Sequence, residues 1–123
     1  MTLTIRRRVT LGVVIGSRAF FSPAPCLTAR TEVLAHLARL GIDVVTLPYE
    51  ATANGAVQSL ADAELYAAHF KAHRDQIDGL VICLPNFGDE IAIVELVNRA
   101  KLGVPILLQA SNDEVDKVDI HSR

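Results

Sequence analysis

A doubly wound α/β fold is predicted by three features of this 123-residue chain. Aliphatic runs alternate with helix-period patterns along most of its length, the order that gives a parallel sheet with helices on both faces. The run Leu80 to Leu84 is apolar throughout. It is too short to span a membrane and too uniform for a half-exposed strand, so it reads as a central strand buried on both faces. Half of the residues are hydrophobic yet only 5% are aromatic, and aliphatic strands with Ala-rich helices suit α/β packing better than a sandwich. The length corresponds to one domain with room for a core.

Taken in order, Val9 to Ile15 is the first strand, ending in Gly16-Ser17-Arg18. Pro23 and Pro25 are incompatible with a helix interior, so the following loop is expected to reach about Pro25. Leu27, Val33, Leu34, Leu37 and Leu40 then recur at helical spacing, with Gly41 placed for a left-handed stop. Asp43 to Leu47 is the second strand, closed by Pro48. A turn-rich connection containing Asn54-Gly55 leads to Ser59-Leu60-Ala61-Asp62, a helix N-cap with an acid three residues on. That helix carries Ala63, Tyr66, Phe70 and His73. After the central strand, a third helix from about Asp89 to Lys101 is expected to bury Ile91, Val94 and Val97. Val104 to Ala110 is the fourth strand. Right-handed crossovers make a flavodoxin-like strand order 2-1-3-4 the first choice. Ser111 to Arg123 is polar and charged, and no helix returns to cover the fourth strand. The core is therefore placed at 8–110 and 111–123 reads as a polar lead into a missing part, the chain being truncated at its C-terminus.

A formal net charge of -2 argues against a dedicated nucleic-acid binder. Arg6-Arg7-Arg8 precedes an apolar stretch too brief for a signal peptide, so a soluble cytoplasmic protein is expected, with no membrane partner. Cys26 and Cys83 show no CxxC or Cys/His spacing and read as reduced structural thiols.

Parallel strands bring the loops 16–21, 85–90 and 109–112 to one edge, where ligands of open α/β sheets gather. These loops offer Arg18, Phe20, Asn86, Phe87, Asp89, Glu90 and Gln109, a mixture suited to a polyhydroxylated or anionic small molecule. Each also has a structural reading: Asp89 as a helix cap, Glu90 as a complement to the helix dipole, Phe20 as a loop anchor, Asn86 as a turn residue. The first strand is followed by no GxGxxG, and no GxxxxGK[ST] occurs, which excludes dinucleotide and P-loop sites of the usual kind. His69 and His73 lie one helical turn apart, a spacing that can bind metal. With no third ligand nearby in sequence, they read as a helix face, solvated at His69 and partly buried at His73.

VVIGSRAFFSP, GLVICLPNFGDE and VPILLQASNDE, in this order and spacing, resemble the N-terminal part of the L-fucose and L-arabinose isomerases, over roughly Val9 to Arg123. The resemblance implies a flavodoxin-like N-terminal domain of an aldose–ketose isomerase working through an enediol with a divalent metal, usually Mn2+. The metal ligands and acid/base carboxylates of that family belong to later domains, so no catalytic or metal residue is expected in this segment, which alone would be inactive. It further implies a trimeric or hexameric homo-oligomer, in which Arg18, Phe20 and Phe87 face substrate, with Asn86 beside them and Asp89, Glu90 and Gln109 as further contacts. Arg18-Ala19-Phe20 stands where arabinose isomerases have Gln-His-Leu, and Asn86-Phe87-Gly88 where they have Thr-Phe-Ser, substitutions that bear on which sugar is bound. The alternatives are a sugar- or metabolite-sensing module without catalysis and a purely structural oligomerisation domain.

Overall fold

In the computed structural model, which describes residues 8–18, 24–85 and 89–110, four parallel strands are hydrogen-bonded in the order predicted, β2-β1-β3-β4. The strands are β1 (Thr10–Ile15), β2 (Asp43–Val45), β3 (Gly79–Leu84) and β4 (Ile106–Ala110). Three helices connect them: α1 (Ala24–Arg39), α2 (Leu60–Ala72) and α3 (Glu90–Ala100). Two short 3-10 turns, Tyr49–Ala51 and Ala53–Gly55, lie between β2 and α2. The fold is flavodoxin-like.

The sheet divides the apolar residues by alternation. Val14, Leu80 and Ile82 join the core under α2 and α3 with Tyr66, Phe70 and Leu96. Val13, Ile15, Val81 and Cys83 join Cys26 and Leu37 under α1. A strand covered on both faces has no polar side to show, which is why LVICL reads as an unbroken apolar run. The chain moves one way from β1 to β2 and the other from β2 to β3, so right-handed crossovers put α1 on one face and α2 and α3 on the other.

The helix boundaries follow local chemistry. Ser59 accepts the Asp62 backbone N–H at 3.2 Å, while the Asp62 carboxylate accepts that of Gln58 at 3.0 Å. This reciprocal pairing satisfies orphan donors at the start of α2. Asp89 caps α3 by accepting the Ala92 N–H at 3.0 Å. Lys101 ends α3 in the left-handed conformation, and Gly41 takes up φ 73° after α1 as its position predicts.

Several expectations are corrected. Helix α1 starts at Ala24, so Pro25 sits in its first turn, where a missing N–H costs nothing. β1, β2 and β4 are shorter than the apolar runs that marked them, because Val9, Thr46, Leu47, Val104 and Pro105 lie beyond the ladders. Within α3 the buried stripe is Ala92, Leu96 and Ala100; Val97 is half-buried, and Ile91 and Val94 are 70% and 56% exposed. The helix is apolar over more of its circumference than α2 and the sheet can cover, so spacing alone selected the wrong flank. Likewise Leu27 of α1 and Leu40 just after it are exposed, and Cys26 and Leu37 are the buried contacts of the helix. β4 is exposed along its length, with Ile106, Leu107 and Leu108 open on both faces.

Gly12 leaves room for the side chains of Leu80 and Phe70 against β1. A Cβ there would lie 2.6 Å from Leu80 Cδ2 and 3.2 Å from the Phe70 ring. Gly12→Ala is expected to destabilise the domain by about 1–3 kcal/mol through overpacking, read as a lower denaturant midpoint with an unchanged slope.

Candidate functional site

The direction in which strands are added to the sheet reverses at β1 and β3, so the carboxyl ends of these adjacent parallel strands form the switch point at which open α/β sheets hold ligands. Backbone bonds fix this place. The Gly16 N–H donates to the Cys83 carbonyl at 2.8 Å, and the Val57 N–H donates to the Ile15 carbonyl at 2.7 Å. The Ser17 N–H returns to the Val57 carbonyl at 3.1 Å. The connection before α2 is thereby stitched onto the end of β1 as a one-bridge extension of the sheet, parallel to Gly16. Sequence periodicity gave no sign of this stitch, since Ala56-Val57 is too short to register as a strand.

Ser17 is fully buried, and its hydroxyl donates to the Arg18 carbonyl at 3.4 Å. It therefore braces the loop from inside rather than offering a hydroxyl to a ligand. Arg18 follows directly and is half-buried at the strand end. Across the switch point Asp89 is half-buried with one carboxylate oxygen committed to its cap, and Glu90 is exposed in the first turn of α3. Gln109 lies on the α1 face of β4, lining an open groove of about 710 Å³ with Leu107, Cys83, Val33, His36 and Leu40. That groove runs along the sheet beneath α1, away from the strand-end loops, and its walls are largely aliphatic. Arg18 thus follows the end of β1, Asp89 and Glu90 open α3 after β3, and Gln109 lies within β4. Phe20, Asn86 and Phe87 lie outside the described residues.

The electrostatics of this region favour rigidity over thiol chemistry. Burial pushes the Cys26 and Cys83 thiols up, and for Cys26 the Ser17 hydroxyl only partly opposes this. Both are free thiols. Neither is a nucleophile near neutral pH. Among the described residues, no three His, Cys, Asp or Glu side chains are grouped to hold a metal ion, and no helix is long and apolar enough to cross a membrane.

Fold and switch-point geometry define a class, the flavodoxin-like domains with a polar site at the carboxyl edge of the sheet. The family is narrower. The model of the fucose/sulfoquinovose isomerase N-terminal domain matches residues 12–123, and the chain belongs to that family. Among curated proteins no significant match is found.

Both cysteines are expected to resist a soluble disulfide reagent in the native state and to react once the chain is unfolded, measured by thiol release with and without denaturant. Because their folded pKa values are raised above the ordinary 9.0, the folded state holds protons that the unfolded state gives up. Stability from this source is intact below pH 9.0 and lost as pH rises toward the folded values. Replacing both by Ser or Ala would remove that alkaline slope.

Proposed function

We propose that the chain serves as the N-terminal domain of an aldose–ketose isomerase of the L-fucose/L-arabinose type, supplying assembly surface and substrate-facing loops. The observation that carries this reading is the family match over residues 12–123, which includes the strand-end loops. Arg18, Phe20, Asn86 and Phe87 are assigned to the substrate. A guanidinium and an amide orient hydroxyls, and aromatic rings cover the apolar face of a sugar. Glu90 is a further contact. Asp89 acts mainly through the helix it caps, and Gln109 reaches a ligand only from the α1 face of the sheet.

The divalent metal of such an isomerase, Mn2+ in this proposal, needs an oxygen-rich set of several ligands. The described residues do not fit that need, since their carboxylates and imidazoles are not gathered in threes. On the resemblance to the L-fucose and L-arabinose isomerases, the metal and the proton-transferring groups are assigned to other domains of a longer chain. The assembly is proposed to be a cytoplasmic trimer or hexamer, with the strand-end loops beside a neighbouring subunit's active site.

The test is the natural-length polypeptide assayed with Mn2+ on L-fucose, L-arabinose and sulfoquinovose. The expected result is metal-dependent interconversion of at least one of these aldoses with its ketose. Arg18→Ala should lower kcat/KM by roughly 10- to 100-fold, the loss of one charged hydrogen bond to the transition state. No interconversion of any aldose in the panel would overturn the assignment.

A further inference from the structure

On the opposite flank of the domain from β4, α2 carries His69 and His73 with ring centroids 4.6 Å apart and planes inclined by 52°. Both rings are half-buried, a correction to the expectation that His69 is solvated. One hydrogen bond fixes what His73 can do. His73 Nδ1 lies 2.8 Å from the His69 carbonyl oxygen. A carbonyl only accepts, so Nδ1 carries the proton and Nε2 keeps a lone pair. In protein metal sites this outer partnership orients a ligating histidine and sets its tautomer.

A further observation agrees. His73 is the C-cap of α2, at the helix end whose free carbonyls favour a cation. Lys71, between them in sequence, projects roughly 200° around the helix from His69.

We propose that His69 and His73 form a two-imidazole site for a divalent transition-metal ion of the zinc, copper or nickel class, with water completing the coordination. Imidazole donors suit these ions better than manganese or magnesium. The proposal does not depend on the metal assigned to the isomerase reaction. Bound there, the ion ties together the last turn of α2.

The test is calorimetric titration of the 123-residue chain with Zn2+ near neutral pH, together with the electron paramagnetic resonance spectrum of bound Cu2+. One equivalent of Zn2+ is expected to bind, with a rise in Tm, and the Cu2+ signal should show coupling to two nitrogens. His69→Gln and His73→Gln should each weaken Zn2+ binding at least about tenfold and remove one nitrogen coupling, with an unchanged circular dichroism spectrum. His36→Gln, on α1, should leave binding unchanged. The proposal is overturned if Zn2+ shows no saturable binding, or if binding and the copper spectrum survive both α2 substitutions.

Discussion

The pairing of β1 with β3, from Leu11 opposite Gly79 to Ile15 opposite Cys83, is the constraint on which the other elements depend. Both strands are covered on both faces, so Val13, Val14, Ile15, Leu80, Val81 and Ile82 are all buried. At about 1.5–3 kcal/mol for each fully buried aliphatic side chain, a one-residue slip here would exchange the contents of two cores at once. The register therefore sets which residues α1 meets and which α2 and α3 meet. It also fixes the neighbouring carboxyl ends of the two strands, where Gly16 bonds back to Cys83. The place for a ligand is a consequence of packing several residues below it.

The sheet and its order were legible because β1 and β3 need apolar residues at every position, and such runs are rare outside central strands. The capping of α2 by Ser59 and of α3 by Asp89 was legible for a local reason, since N-cap chemistry involves only residues within one turn. What could not be read was how much apolar surface would find cover. Ile91 and Val94 have the spacing of a buried stripe, but the face α3 turns to the sheet is Ala92, Leu96 and Ala100. The stitch of Val57 to the end of β1 was equally hidden, because one bridge leaves no periodicity. In the candidate site, the burial of Ser17 and the place of Gln109 in the groove beneath α1 are tertiary facts with no local signature.

The uncovered apolar surface is consistent with a domain that works inside a larger assembly. β4 has no charged residue and, Gln109 apart, is apolar on both faces, the composition of an interior strand, whereas free edges are usually guarded by charge or proline. The exposed flank of α3 and the aliphatic groove beneath α1 lie on the two faces of that same side of the sheet. Membership of the isomerase N-terminal family gives this asymmetry a reason. On the function proposed above, the β1–β3 half supplies stability, its strand ends supply polar contacts, and the β4 half is covered by further protein.

Amide hydrogen exchange on the 123-residue chain, compared with the natural-length protein, tests this division most directly. The account predicts slowest exchange at 13–15 and 80–83 in both, and rapid exchange at 106–110 in the short chain that slows toward the β1 level in the longer protein. Protection of β4 in the short chain equal to that of β3, or no gain in the longer protein, would contradict it.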